Sequence, residues 1–123
     1  MKALLLVAHG SRRENSNEEV RALARATAAH VDNGYEQVAS AFLELAEPSI
    51  PDGLRALIAS GADEITVVPY FLSAGRHVVE DIPAEGQKVV AEHPDVPINL
   101  APYRGTSGVM PQLLLGLGAK YKK

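Results

Sequence analysis

The sequence predicts a single α/β domain over residues 1–123, built on a four-stranded parallel sheet of order 2-1-3-4 flanked by helices. Three observations lead there. Short apolar runs alternate four times with stretches of helical periodicity. The first run, Leu4 to Ala8, carries no polar residue, as a strand covered on both faces requires. Prolines, glycines and small polar residues fall between the runs, where helices begin and end.

The first strand ends at His9-Gly10-Ser11-Arg12, an abrupt change from aliphatic to reactive side chains. Asn15-Ser16-Asn17-Glu18 reads as a helix cap with a glutamate three residues on, and Val20, Leu23, Ala24, Thr27, Ala28 and Val31 follow at helical spacing. Asn33-Gly34 breaks that helix. Gln37 to Leu43 forms the second strand, with Glu44-Leu45-Ala46-Glu47 as its carboxyl-end loop. Ser49 caps the second helix, Pro51 sits in its first turn where a missing N–H costs nothing, and Gly61 closes it. Glu64 to Pro69 is a β-branched third strand leading into Tyr70 to His77. Asp81 then caps a third helix with Pro83 in its first turn, and Val96 to Ala101 is the fourth strand. Ser107 caps a last helix holding Leu113, Leu114 and Leu117, in which Gly116 and Gly118 each cost roughly 1 kcal/mol against alanine.

An order of 2-1-3-4 is the start of a flavodoxin-like sheet, whose switch point lies between strands 1 and 3. Ligands bind there, outside the carboxyl ends of the strands. His9 ends strand 1, His77 follows strand 3, and Glu44 and Glu47 follow strand 2. Three loops thus bring polar groups to one rim.

Composition narrows the chemistry. The chain has no cysteine, which excludes disulfides, thiolate nucleophiles and cysteine metal sites. A formal charge of −3 speaks against nucleic acid as a partner. No segment approaches the roughly 20 apolar residues of a membrane span, and no basic-then-apolar leader precedes the first strand, so the expected setting is the cytoplasm. Two imidazoles with one or two carboxylates make a borderline-hard site suited to Co²⁺, Fe²⁺, Ni²⁺ or Zn²⁺. So few protein ligands leave open positions, as a reactive site needs. Imidazole is also the natural proton acceptor near pH 7. If the segment after His77 is helical, Asp81 falls on the same face and could orient that ring.

Three ordered motifs carry a resemblance. Ala8-His9-Gly10-Ser11-Arg12, Leu43-Glu44-Leu45-Ala46-Glu47-Pro48-Ser49-Ile50-Pro51 and Val68-Pro69-Tyr70-Phe71-Leu72-Ser73-Ala74-Gly75-Arg76-His77-Val78, with Asp81-Ile82-Pro83, resemble the short class II chelatases. These are the sirohydrochlorin cobalt- and ferrochelatases of cobalamin and siroheme synthesis. The resemblance implies a chelatase-like fold and insertion of Co²⁺ or Fe²⁺, as substrate metal with no resident cofactor, into sirohydrochlorin. It implies that His9 binds the ion and accepts a pyrrole proton, with His77 as second metal ligand. It also implies that Glu47 and the loop Leu72, Ser73, Ala74, Gly75, Arg76 and His77 touch the tetrapyrrole, with Glu44 a third catalytic group near the metal or the departing protons.

The substrate's carboxylates fit Arg12, Arg13, Arg76 and Arg104, all in carboxyl-end loops, with Arg12 and Arg76 expected to face it. The histidine-rich loop of nickel-inserting relatives is absent, as is the second half of the longer members. A single half covers a flat macrocycle on one side only, so a twofold homodimer is expected.

Blander readings stand beside these. Glu44 alone reads equally as a solvated strand end, Glu47 as a charge favouring the next helix dipole, and Arg13 as merely exposed. His30 and His93 lie near helix C-termini, where a positive charge is welcome, and are given no role. Gly75 is expected to let the backbone pass close to the ring. A histidine phosphatase needs an arginine where Ala8 stands, a receiver domain needs paired acids after strand 1, and a flavodoxin needs a longer phosphate loop than Gly10-Ser11-Arg12. A non-catalytic metal or tetrapyrrole carrier would use the same ligands, and turnover separates the two.

Overall fold

The structure is a computed structural model that describes residues 1–30, 34–70, 80–101 and 115. In chain order it contains β1 (Lys2–Ala8), α1 (Glu14–Ala29), β2 (Gln37–Phe42), α2 (Ile50–Ala59), β3 (Glu64–Pro69), α3 (Ile82–Glu92) and β4 (Ile98–Leu100). The four strands form one sheet in the order β2-β1-β3-β4. All three pairings are parallel. The predicted sheet is the observed one.

β1 lies between β2 and β3, which explains its aliphatic run. Alternate side chains point to opposite faces, so each face needs its own cover. Ala3, Leu5 and Val7 pack with Ala41, Ile65 and Val67 from the neighbouring strands and with Ile50, Leu54, Leu57, Ile82 and Val89 from α2 and α3. Leu6 and Ala8 pack with Phe42 and with Val20 and Ala24 of α1. Leu5, fully buried, stabilises the fold by about 2 kcal/mol through burial alone.

α2 keeps to its sequence signals. The Ser49 hydroxyl accepts from the Asp52 N–H at 3.2 Å. At the other end Gly61 adopts φ 106°, its N–H reaches the Ile58 carbonyl at 2.9 Å, and the Ala62 N–H reaches Leu57 at 3.1 Å. This paired closure satisfies two carbonyls of the last turn, and the left-handed residue is the reason for glycine there.

Several boundaries differ from expectation. α1 begins at Glu14, not at a cap among residues 15–18, and its N-cap Arg13 makes no side-chain capping bond. Asn17 is buried within the helix and bonds backward to the preceding loop, so a pattern that reads as a cap serves a tertiary contact. Asp81 does stand at the N-cap of α3, with Pro83 in the first turn as expected, but its backbone is already helical (φ −78°, ψ −36°) and its side chain makes no capping bond. β2 stops at Phe42, whose N–H turns outward to the Pro48 carbonyl at 2.9 Å. β4 shrinks to Ile98–Leu100. Of the last helix only Leu115 is described, helical and exposed, so Ser107, Leu113, Leu114 and Leu117 lie outside the described residues.

Candidate functional site

The sheet order brings the ends of β1, β2 and β3 side by side. The register pairs Ala8 with Phe42 on one side and Val7 with Pro69 on the other. The ladder then continues past β1: the Leu43 N–H donates to the Ala8 carbonyl at 2.9 Å and the Glu44 N–H to the His9 carbonyl at 3.0 Å. On the other flank the Tyr70 N–H donates to Val7 at 2.6 Å, so the chain leaves β3 at the level where His9 begins.

At this rim His9 Nε2 lies 3.0 Å from Glu44 Oε1. The two side chains are 43% and 51% exposed, open enough to meet a ligand from solvent. Imidazole and carboxylate at hydrogen-bond distance make a proton-accepting couple, and the same nitrogen and oxygen atoms can ligate a divalent ion. Among the described residues no third histidine or carboxylate joins them in a set that could hold a metal.

The couple depends on a glycine. Gly10 has φ 97°, and a Cβ placed on it would lie 1.7 Å from the Glu44 carbonyl oxygen. Only a residue without a side chain lets the β1–α1 loop press against the loop after β2. Leu45 takes the other strained conformation here, φ 65° in a non-glycine residue, as the chain turns away from Glu44. Sequence reasoning missed this close approach at Gly10; Gly75, expected to let the backbone pass close to the macrocycle, lies outside the described residues. The signal for Gly10 was its place directly after a strand-end histidine.

Further support comes from α1. The Asn17 amide, 2% exposed, accepts from the Ser11 N–H at 2.9 Å and donates to the Ser11 carbonyl at 2.7 Å. Arg21 donates to the Glu47 carbonyl at 3.0 Å and its guanidinium carbon lies 5.2 Å from the centre of the Phe42 ring.

Of the predicted site residues, His9 and Glu44 are brought together. Glu47 is exposed on the same loop three residues on, its carbonyl held by Arg21, and Arg12 is exposed on the loop after β1. Arg13 is exposed, as expected. Leu72, Ser73, Ala74, Gly75, Arg76 and His77 lie outside the described residues, as does Arg104. His30 and His93 end α1 and α3, away from this pair in the chain.

An imidazole–carboxylate couple beyond the carboxyl ends of β1 and β2 places the chain among the open-sheet α/β proteins whose ligand sites lie at that edge. The family model for CbiX matches residues 3–116, and the chain belongs to that family. It is 37% identical over 98 residues to the sirohydrochlorin ferrochelatase of Bacillus subtilis (strain 168), a match covering 80% of this chain and 37% of that one. It is 40% identical over 83 residues to the sirohydrochlorin cobaltochelatase of Methanococcus maripaludis, covering 68% of this chain and 56% of that one. Its fold matches the crystal structure of the sirohydrochlorin chelatase SirB from Bacillus subtilis subspecies spizizenii in complex with cobalt, with a TM-score of 0.85 and 30% identity. That match covers 98% of this chain and 50% of the other. The chain therefore spans between about a third and somewhat over half of the length of these relatives.

Proposed function

We propose that this chain inserts a divalent metal, Co²⁺ or Fe²⁺, into sirohydrochlorin, and that it does so in the cytoplasm. The carrying observation is the His9–Glu44 couple, 3.0 Å apart at the carboxyl rim of a CbiX-family sheet. Relatives named for both metals support the metal class.

Metalation replaces two pyrrole N–H protons with one dication, so charge balances only if two protons leave as the ion enters. A site for this reaction holds the metal and accepts protons on the same face of the macrocycle. His9 binds the entering ion and takes a pyrrole proton, and Glu44 lies close enough to accept that proton from the imidazole or to take the second one. His77 completes the ligand pair from the loop after β3. Glu47 and residues 72–77 contact the tetrapyrrole, and Arg12 with Arg76 meets its carboxylates.

One such unit faces the macrocycle from one side. A second copy of the chain supplies the other, in keeping with a match that accounts for half of the SirB chain. Sedimentation at assay concentration is expected to give a dimer, and a fully active monomer would contradict this.

The direct test mixes the purified protein anaerobically with sirohydrochlorin and each ion in turn. The spectrum of the metal-free macrocycle is expected to give way to that of the metallated one far faster than without protein. Tight binding of metal or macrocycle with no acceleration would make the protein a carrier instead.

A further inference from the structure

Position 17 falls on the buried stripe of α1 with Val20 and Ala24, where an apolar residue would bury at less cost than an amide. The amide there spends its bonds outside the helix core. Two of them go to the main chain of Ser11, two residues beyond His9. Its Nδ2 also lies 3.4 Å from Glu14 Oε2. Glu14 in turn pairs with Arg21, and Arg21 donates to the carbonyl of Glu47, three residues beyond Glu44. The Glu14 carboxyl is held below its ordinary range, first by Arg21 and then by Asn17, so it stays ionised as the middle of the chain. The guanidinium also lies over the Phe42 ring, 5.2 Å from its centre.

One unbroken line of bonds thus runs from the His9 loop, along the first two turns of α1, to the Glu44–Glu47 loop. We propose that Asn17 and Arg21 are positioning residues that set the separation of His9 and Glu44. The activity readout of this proposal rests on the metal-insertion reading. Neither residue touches the reacting atoms. Each grips backbone, one turn apart on the same helix, so α1 ties together from one side the two loops that the Glu44 N–H to His9 carbonyl bond joins directly.

The test compares Asn17→Ala and Arg21→Met with Glu44→Gln, using Arg25→Met as control. Arg25 sits on the same helix, 66% exposed, and among the described residues its ion pair is with Glu18, away from both loops. The first readout needs no turnover: the His9 imidazole C–H cross-peaks in the NMR spectrum of the protein alone, at one fixed pH. Glu44→Gln sets the direction in which these peaks move when the carboxylate is lost. Asn17→Ala and Arg21→Met are expected to move them the same way, and Arg25→Met to leave them in place. The second readout is a double-mutant cycle on the insertion rate. Arg21→Met is expected to lower the rate about tenfold in the wild-type background and less than about twofold when Glu44 is already glutamine, because the misplaced group is then missing. Unmoved His9 peaks in both variants, or equal losses in both backgrounds, would overturn the proposal. Should Asn17→Ala fail to fold by circular dichroism, Arg21→Met decides alone. Peaks that move as expected in a protein with no insertion activity uphold the positioning role and sink the metal-insertion reading.

Discussion

Replacing Gly10 with alanine puts a methyl group where the Glu44 carbonyl oxygen already is. The added Cβ would stand 1.7 Å from that oxygen and 2.9 Å from its carbon, against the 3.0 Å that such contacts in proteins essentially never undercut. The atom it meets is backbone, so no rotamer relieves the overlap. The two loops must part by more than an ångström, which breaks the bond from the Glu44 N–H to the His9 carbonyl and opens the His9–Glu44 couple. An alanine at φ 97° also carries about 1–2 kcal/mol of conformational cost, and the lost hydrogen bond adds about 1 kcal/mol. Together these destabilise by roughly 2–3 kcal/mol, which a domain of this size survives. The expected fall in Tm is roughly 8–12 °C. A displacement of this order at reacting groups costs roughly 100-fold in rate. The assay is the initial rate of sirohydrochlorin metalation, measured well below the variant's Tm. Gly61→Ala is the control: φ 106° with no atom within 4 Å of the added Cβ, so it costs about 1–2 kcal/mol of stability and none of the rate per folded molecule. A folded Gly10→Ala protein with wild-type rate would refute the argument, as would an equal loss in Gly61→Ala.

Three further outcomes follow from particular residues. His77→Ala is expected to cut insertion by roughly 100-fold or more at ordinary metal concentrations, with the melting curve unchanged; an undiminished rate would remove His77 from the ligand set. Ser49→Ala removes the oxygen that accepts from the Asp52 N–H and should lower stability by about 1 kcal/mol, read as a Tm shift of roughly 4 °C, and no shift would mean the cap is idle. Arg55 bonds both Glu92 oxygens, at 2.8 Å each, and joins α2 to α3. Arg55 holds the Glu92 carboxyl below its ordinary value, so the pair stabilises above the usual carboxylate range and fades as pH falls through the lowered folded value. Wild type should therefore melt slightly above Glu92→Gln at pH 7 and together with it in strong acid; the effect is small because both partners are over 40% exposed. A gap that widens toward acid would reverse the assignment.

The sheet was legible because its signals are local and redundant. The aliphatic stretch before His9 could only be a strand covered on both faces, and Glu64–Pro69 is a strand in the sequence and in the structure alike. Ser49 and Gly61 mark α2 because capping chemistry acts within one turn. The start of α1 was misread for the opposite reason. Asn17 carries the residue type of a cap, yet its bonds are to Ser11 on a loop that only the folded chain brings near. Asp81 marked the start of α3 correctly, although its side chain makes no capping bond. The site was half legible. Strand order alone placed His9 and Glu44 on neighbouring strand ends, but their 3.0 Å contact needs Gly10 and Leu45 at positive φ, and Arg21 holding a carbonyl 26 positions away. No spacing rule reports such contacts.

The most direct measurement is the initial rate of Co²⁺ insertion into sirohydrochlorin by wild type and by His9→Ala at equal protein concentration, each shown folded by circular dichroism. Rapid metalation is expected of the wild type, and of His9→Ala a rate no higher than that of the reaction without protein. A His9→Ala variant that retained more than half of the wild-type rate would contradict the role given to His9.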